Sequence, residues 1–383
     1  MDFSIPTVFA EELVSFKKFI TKQVRSELSG WLIQGSVPKR FFTAMGDAGW
    51  FGYRWDGQRM TKGSGLRDTL ILEKLAEVSP GVAVTVLIVS DLGMSALHLF
   101  GSQPLLEKYA AAVVRGETLI CLGNSENLAG SDAASITMTA ERADGGWVLN
   151  GAKAYVTNGL ISELAVVTAV LDPDAGRSRQ VSMFLVDLNT EGVRRKRLSK
   201  QVWLPSDLTR LEFSNVFVPD DHLLGKRGHG LQQVLQLFTI SRVPISGLAL
   251  GTARGAFDLA VRHSRKRKIF GRPIADFQAK AFETADFHAR IEAARLMVLR
   301  AATAMDSGGD FRFEASMAKY LAVGIAQEVS AWAADIFGAA SVVREHPIHN
   351  FPMDAWAVSL AEGTQDVQKL VIFRELMKRF PNR

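Results

Sequence analysis

The spacing of apolar residues changes twice along this chain, and that change limits the fold more than any single motif does. From Val8 to about Arg115, apolar residues recur three and four positions apart, as on one face of an α-helix. Near Leu119 they begin to alternate with polar residues, and the helical spacing later returns and continues to Lys378. We therefore predict an α+β fold with three domains: helical at residues 1–118, β at residues 119–223 and helical at residues 224–383.

Two stretches indicate how deeply the helical parts are buried. The segment from Val82 to Phe100 is apolar on all sides except at Asp91, which predicts a helix inside a core. The longest apolar run, Gly81 to Ser90, is too short to cross a bilayer, so no membrane contact is expected. In the last third, an apolar stripe at helical spacing predicts a helix packed in a bundle, and its members are Met317, Leu321, Ile325, Val329, Trp332 and Ile336.

The middle third has the residues and the short connections of an antiparallel sheet. Strands are predicted at Leu164 to Leu171, Val181 to Val186 and Leu211 to Val218. Asn150-Gly151 lies between two further strand-like segments, and this dipeptide favours a tight hairpin turn because glycine accepts a positive φ. The connections leave no room for crossover helices, so a small antiparallel β domain is expected rather than a doubly wound parallel sheet.

The composition indicates which compartment the protein occupies and which classes of partner suit its charge. Cys121 is the only cysteine among 383 residues, which excludes an internal disulfide and a cysteine-built zinc site and favours a reducing compartment. The N-terminus has no secretory signal pattern, so we expect a soluble, cytoplasmic protein. The net charge is +5, with basic runs at residues 194–197 and 265–268. This charge suits a phosphate-rich cofactor, an acidic carrier protein or nucleic acid.

Several common sites do not fit the sequence. Gly225, Gly228 and Gly230 have the wrong spacing for a dinucleotide fingerprint, and the strand-to-helix context is missing. His346 and His349 lie close together, but the proline between them argues against a shared helical face, so no metal site is expected. No serine lies in a Gly-x-Ser-x-Gly elbow.

Three short motifs can each bind a ligand or serve structure alone. Ala129-Gly130-Ser131-Asp132 exposes main-chain amides that can bind an oxygen atom of a ligand, and an Asx-turn has the same sequence. Alternation places the Tyr155 ring and the Thr157 hydroxyl on one face of a strand, which suits a planar ring or an ordinary strand end. Arg267-Lys268-Ile269-Phe270-Gly271 suits a pyrophosphate-and-ring ligand or a solvated helix end.

A fourth motif, Leu360-Ala361-Glu362-Gly363-Thr364, comes just before the helical segment from Gln368 to Met377. Its apolar neighbours remove water from the Glu362 carboxylate, which raises the pKa of that group and makes it a usable base. Alternatively, Glu362 lies in the first turn of the helix and complements the helix dipole, with Thr364 as the cap. The residues alone leave both interpretations open.

Taken in this order, the four motifs resemble the acyl-CoA dehydrogenase family over essentially the whole chain. The resemblance implies an acyl-CoA dehydrogenase-like fold, with an N-terminal helical domain, a central small antiparallel β domain and a C-terminal four-helix bundle. It implies a subunit that binds FAD within a homotetramer or homodimer. It also implies α,β-dehydrogenation of an acyl-CoA thioester, with electrons passed to an electron-transfer flavoprotein.

The resemblance also implies roles for individual residues. Thr157 matches the residue that hydrogen-bonds flavin N5, and Tyr155 matches the aromatic residue that covers one face of the ring. The other positions that match FAD contacts are Ser125, Ser131, Arg267, Phe270, Gln278, Gly338 and Thr364. In the family, the positions of Arg267, Phe270 and Gln278 act across the dimer interface. Positions on the substrate side are matched by Ser131, Arg242 and Gly363.

Glu362 matches the catalytic base of the family. That base removes the α-proton while the β-hydrogen leaves as a hydride to flavin N5, so one face of the substrate needs a carboxylate and the other the flavin. In one branch of the family the base occupies the position of Ser241 instead, and serine cannot serve. Ala83 stands where glutaryl-type members carry an arginine, which disfavours a dicarboxylic substrate.

Three alternatives stand beside the acyl-CoA reaction. The same chemistry on an acyl group tethered to a carrier protein would suit the basic surface. A flavin oxidase or monooxygenase would use the same fold. Some proteins of this fold bind DNA, which the basic charge allows, but the presence of Glu362 argues against nucleic acid as the partner.

Overall fold

The computed structural model describes residues 6–171 and 180–380, and its first third is mainly helical. The helices of this part are α1 (Thr7–Ile20), α2 (Leu28–Gln34), α3 (Lys39–Asp47), α4 (Gly65–Ala76), α5 (Pro80–Leu87), α6 (Ser95–Phe100) and α7 (Gln103–Val114). A hairpin of two short strands, β1 (Tyr53–Trp55) and β2 (Met60–Lys62), lies between α3 and α4. The predicted helical first third thus also contains one short hairpin, because the break at Asp56-Gly57 is a turn between paired strands.

The predicted buried helix is confirmed. Helix α5, a π-helical segment (Ile88–Met94) and α6 run on from Pro80 to Phe100, and the Ser79 hydroxyl accepts a hydrogen bond from the Val82 amide at the start. This helix and α8 (Gly230–Lys266) are long and apolar enough to cross a membrane. However, 83% and 72% of their most apolar windows are buried inside the protein, as in core helices of a soluble fold.

The middle third forms one eight-stranded sheet. Its strands are β3 (Ile120–Gly123), β4 (Thr139–Ala143), β5 (Gly146–Thr157), β6 (Leu164–Val170), β7 (Val181–Asp187), β8 (Val193–Arg197), β9 (Leu208–Pro219) and β10 (Leu223–Leu224). The order is β10-β7-β6-β4-β5-β9-β8, and β3 pairs with β6 beside this path. The β domain is confirmed, but β3 runs parallel to β6, because a whole hairpin separates them and no tight turn sets their direction.

Asn150-Gly151 lies inside β5 rather than at a hairpin turn, so that prediction is wrong. The turn between β4 and β5 is at Asp144-Gly145, where Gly145 has a φ of +72°. The pairing of β5 with β9 shifts around Gly151, which marks a β-bulge. A Cβ atom at Gly151 would lie 2.8 Å from Met138 Cα, so the close approach of a neighbouring strand explains the glycine.

The last third is a helical bundle in which α10 packs against α8, α9 and α12. The bounds of its remaining helices are α9 (Gln278–Asp306), α10 (Arg312–Phe337), α11 (Phe351–Val358) and α12 (Gln365–Met377). Helix α8 also packs against α4 of the first third. The approach is so close that a Cβ atom at Gly251 would lie 2.1 Å from the carbonyl oxygen of Glu73. Helix α8 therefore joins the two helical parts.

The buried face of α10 differs from the predicted stripe. Ile325, Val329, Trp332 and Ile336 are buried as predicted, but Leu321 is 45% exposed. Small residues make the buried face in the first half of the helix, because they let the neighbouring helices come close. These residues are Ala315, Ala318, Ala322 and Ala326, and the fully buried Lys319 lies among them.

Candidate active site

Glu362 lies in the short segment between α11 and α12, in an uncommon main-chain conformation. Its φ is +55° and that of Gly363 is +89°, so both residues are left-handed. For a non-glycine residue this costs on the order of 1–3 kcal/mol, and such residues cluster at functional sites. The Thr364 hydroxyl caps α12 by accepting a hydrogen bond from the Val367 amide at 3.4 Å. The capping role of Thr364 is therefore present, but Glu362 precedes the helix and is not in its first turn.

The Glu362 carboxylate is held from α8. The hydroxyl of Ser241, which is fully buried, donates a hydrogen bond to Oε2 of Glu362. Burial raises the pKa of Glu362 well above its ordinary range, whereas the Ser241 hydrogen bond and the charges of Lys319 and Arg242 oppose the rise. In another branch of the family that the sequence resembles, the base occupies the position of Ser241. Here Ser241 is instead the direct hydrogen-bond partner of Glu362, the candidate base.

Two buried cations lie near this carboxylate. Arg242 on α8 is 7% exposed, and its Nε atom has no hydrogen-bond partner among the described residues. Burial lowers the pKa of Arg242, and the charge of Glu362 counteracts this. Lys319 donates hydrogen bonds to the carbonyl oxygens of Ala361 and Gly363. The sequence prediction missed Lys319, although a lysine among the small residues of a buried helical face is itself a signal.

On the β side, the end of β5 and the loop after β3 come together. The Ala154 amide donates a hydrogen bond of 2.9 Å to the carbonyl oxygen of Ser125, which places that loop beside Tyr155. Tyr155 is 62% exposed and left-handed, with a φ of +58°, whereas Thr157 is 9% exposed. The pairing of β5 with β9 shifts just before Val156, so simple alternation no longer supports a shared face for Tyr155 and Thr157.

The Ala129-Gly130-Ser131-Asp132 motif contains the turn expected from its structural interpretation. Oδ1 of Asp132 accepts a hydrogen bond from the Ala134 amide at 3.3 Å, and its other oxygen accepts one from the Ser135 hydroxyl. Ser131 is exposed on this turn. Leu128, at the tip of the preceding turn, is 95% exposed. The motif therefore presents Ser131 to the outside from a fixed loop.

The remaining predicted cofactor residues lie together at another end of the bundle. Arg267 follows α8, and Phe270 lies at the tip of a hairpin formed by β11 (Lys268–Ile269) and β12 (Arg272–Pro273). Phe270 is 94% exposed with a φ of +49°. Gln278 begins α9 and is exposed. The rings of His263 and Phe337 stack at 4.1 Å, which brings Gly338, after α10, to the same end of α8 as Arg267.

The two groups of predicted residues on α8 are far apart within one chain. Ser241 and Arg267 are separated by 26 positions along this helix and its end. At a rise of about 1.5 Å per residue the separation is roughly 39 Å. The structure therefore brings Ser241, Arg242, Glu362, Gly363 and Thr364 together, and places the Arg267 group elsewhere.

Comparison with known proteins identifies the family. Three family descriptions match in order: "Acyl-CoA dehydrogenase, N-terminal domain" at residues 13–117, the middle domain at 121–216 and the C-terminal domain at 228–377. The chain is 31% identical to the short-chain specific acyl-CoA dehydrogenase of Megasphaera elsdenii, over 86% of each chain. The chain belongs to the acyl-CoA dehydrogenase family. Its members are oxidoreductases that use FAD.

Two further similarities extend over nearly the whole acyl-CoA dehydrogenase fold. The three-dimensional structure of butyryl-CoA dehydrogenase from Megasphaera elsdenii superimposes with a TM-score of 0.92 at 29% identity, covering 98% of this chain and 100% of that one. The caffeyl-CoA reductase-Etf complex subunit CarC of Acetobacterium woodii is 31% identical, over 95% of this chain and 96% of its own. The fold predicted from the resemblance is confirmed.

The side chains present in this acyl-CoA dehydrogenase fit FAD. The exposed ring of Tyr155, held in a strained conformation beside Ser125, would suit the flavin end. Arg267 and the exposed ring of Phe270 combine a cation for the pyrophosphate with an aromatic surface for the adenine. Nothing lies within 4 Å of the position that a Cβ atom would take at Gly338, so space is open there. The individual contacts remain predictions.

Proposed function

We propose that this acyl-CoA dehydrogenase oxidises an acyl-CoA thioester to the α,β-unsaturated thioester, with Glu362 as the base. FAD would be the hydride acceptor, and an electron-transfer flavoprotein the next electron acceptor. The observation that carries the proposal is the Glu362 carboxylate, which is held by Ser241 in a strained segment and has a pKa raised by burial. An exposed glutamate would lack the basicity that removal of an α-proton requires.

The residues of this chain would divide the reaction as follows. The ionised Glu362 carboxylate takes the α-proton, and Ser241 holds that carboxylate in place through its hydroxyl. Arg242 Nε, buried and without a partner among the described residues, is a donor available to a polar atom of the thioester. Bound FAD would accept the β-hydrogen as a hydride, which completes the two-electron oxidation. Glu362 then carries the proton until water or a second group removes it.

We infer that the cofactor site takes residues from two chains. The flavin end would be held by Ser125, Ser131, Tyr155 and Thr157. Thr364, which is close to the base in sequence, would also contact the cofactor. The group of Arg267, Phe270, Gln278 and Gly338 would hold the adenine end of FAD bound to another copy of the chain. Ser241, which bonds the proposed base, lies roughly 39 Å from Arg267 along α8, and this separation supports the division. A homodimer is the minimum assembly, and a homotetramer is the expected one.

The direct test of the proposed reaction is an anaerobic titration of the purified flavoprotein. A panel of acyl-CoA thioesters that differ in chain length and branching is added, and bleaching of the flavin absorbance is followed. We expect at least one thioester to bleach the flavin in a stoichiometric manner. If none does so, either as CoA thioester or on a carrier, the proposed reaction is wrong.

The electron acceptor and the direction of the reaction need a second experiment. The Acetobacterium relative is named as a subunit of a caffeyl-CoA reductase-Etf complex. That name supports an electron-transfer flavoprotein as the partner, and it makes reduction of an enoyl thioester the reverse direction to test. Reoxidation of the bleached protein by electron-transfer flavoprotein, and of the chemically reduced protein by enoyl-CoA, separates the two directions.

A carrier-tethered acyl group is the alternative substrate. Strand β8 lies at one end of the sheet, and Arg194, Lys196 and Arg197 on it are exposed. Such an edge would attract an acidic carrier protein. Comparison of one acyl group on CoA and on an acyl carrier protein decides the matter. Bleaching by the carrier form alone would favour a biosynthetic enzyme.

A further inference from the structure

Two fully buried side chains hold the main chain around Glu362. Lys319 on α10 donates hydrogen bonds from Nζ to the carbonyl oxygens of Ala361 and Gly363. Gln368 on α12 donates from Nε2 to the carbonyl oxygens of Glu362, at 3.2 Å, and Gly363, at 3.0 Å. Three consecutive carbonyl groups are therefore bonded to side chains from two different helices.

The surroundings of Lys319 are unusual for a lysine that only fills space. Its neighbours one turn away on the buried face of α10 are small or apolar, namely Ala315, Ser316, Ala322 and Val323. An apolar residue at this position would avoid the cost of burying an ammonium group. Its hydrogen bonds go to carbonyl groups. Burial lowers the pKa of Lys319 to about 7, and the charge of Glu362 partly offsets this by favouring the ionised form. Its contacts are therefore directed at the segment that carries the base.

The bonds also explain how Glu362 keeps its conformation. Because one ammonium group bonds the carbonyls of residues 361 and 363, these two carbonyls converge on α10. The carboxylate of the residue between them accepts a hydrogen bond from Ser241 on α8. The left-handed φ of +55° at Glu362 is thus held by contacts from α8, α10 and α12.

We propose that Lys319 is the positioning residue for the base: it anchors the main chain on both sides of Glu362, and its ammonium group places a positive charge near this carboxylate. The proposal rests on the proposed function only in naming Glu362 as the base. The other charged groups that act on Glu362 are Arg242 on α8 and Asp91 in the π-helical segment. Gln368 contributes to the anchoring without a charge.

The test compares Lys319→Met with Lys319→Gln in the FAD-loaded protein. The charge of Lys319 lowers the pKa of Glu362, so the pH midpoint of the flavin reduction rate is expected to move up in both variants. Lys319→Gln keeps a donor and is expected to react faster than Lys319→Met above the midpoint. FAD content and thioester affinity should change less than the reduction rate.

Lys200→Met is the matched control. Lys200 is also a largely buried lysine that donates to two main-chain carbonyls, those of Val202 and Trp203, but it is not among the groups that act on Glu362. This variant is expected to lose stability while the pH midpoint stays at the wild-type value. A loss of stability alone therefore cannot imitate the predicted shift.

A second readout keeps this inference separate from the proposed reaction. The protonation of the Glu362 carboxyl is followed by infrared spectroscopy of the resting protein, as the difference between wild type and Glu362→Gln across pH. We expect the carboxyl to titrate at higher pH when Lys319 is replaced by Met or Gln. If the Glu362 carboxyl titrates at the wild-type pH in a folded Lys319 variant, the positioning role is wrong, whether or not a thioester bleaches the flavin. If no thioester bleaches the flavin but the titration of Glu362 moves to higher pH, only the proposed reaction is wrong.

Discussion

Replacement of Gly363 by alanine tests the strained segment that carries Glu362. The φ of Gly363 is +89°, and a Cβ atom there would lie 2.9 Å from Gln368 Nε2 and 3.1 Å from Val367 Cγ1. The left-handed conformation costs an alanine about 1–2 kcal/mol. The displaced amide of Gln368 loses two hydrogen bonds, at about 1 kcal/mol each. We expect Gly363→Ala to lower the free energy of unfolding by about 3 kcal/mol.

The assay is urea unfolding followed by circular dichroism, with Gly309→Ala as the control. No heavy atom lies within 4 Å of the position that a Cβ atom would take at Gly309, so its substitution should stay within about 0.5 kcal/mol of wild type. Gly363→Ala should also slow flavin reduction, because Gln368 and Lys319 bond the same carbonyl group. A variant as stable as Gly309→Ala would refute the assignment of strain and close contact to this segment.

Three further predictions concern single side chains. Burial raises the pKa of Asp354 from 3.8 to about 7, so the contribution of this carboxyl to the free energy of unfolding is fully present below pH 4 and is lost as the pH rises to 7, by on the order of 4 kcal/mol. Asp354→Asn can still accept from the Trp203 amide, so the difference in unfolding free energy between wild type and this variant should change by that amount across the pH range, and a constant difference would contradict the prediction. Ser241→Ala removes the bond that stabilises the ionised Glu362, so the pH midpoint of flavin reduction should rise, and a midpoint at or below the wild-type value would contradict this. Phe270→Ala should lose FAD at a smaller dilution than wild type does. The free energy of unfolding of its apoprotein should stay within about 0.5 kcal/mol of the wild-type apoprotein, since the ring is 94% exposed.

The periodicity of the sequence was enough to predict the order of helical and β parts, because burial of an apolar face follows directly from residue spacing. The buried helix from Pro80 to Phe100 is the clearest case. Asn150-Gly151 misled the prediction, since a glycine needed for close approach to Met138 has the same sequence as a hairpin turn. The parallel pairing of β3 with β6 depends on contacts distant in sequence, which no local pattern contains.

The candidate site was predictable only in part. The local motif drew attention to Glu362 and Thr364, because the glycine between them and the following helix are visible in the sequence, but it left the base and helix-cap interpretations open, and the base role followed from the family resemblance. Lys319 and Gln368 were missed, since their role depends on the packing of α10 and α12 around the segment before α12. Ser241 was considered only as a residue that could not act as a base, and its bond to Glu362 required the path of α8.

The most direct test of the central claim is the rate of flavin reduction by a bleaching thioester in wild type and in Glu362→Gln, measured anaerobically by stopped flow. The amide keeps the size of the side chain and an acceptor for the Ser241 hydroxyl, so FAD content and thioester binding should stay near wild type. We expect the reduction rate to fall about 100- to 10,000-fold, as for loss of a general base. Reduction by Glu362→Gln at close to the wild-type rate would show that another group is the base.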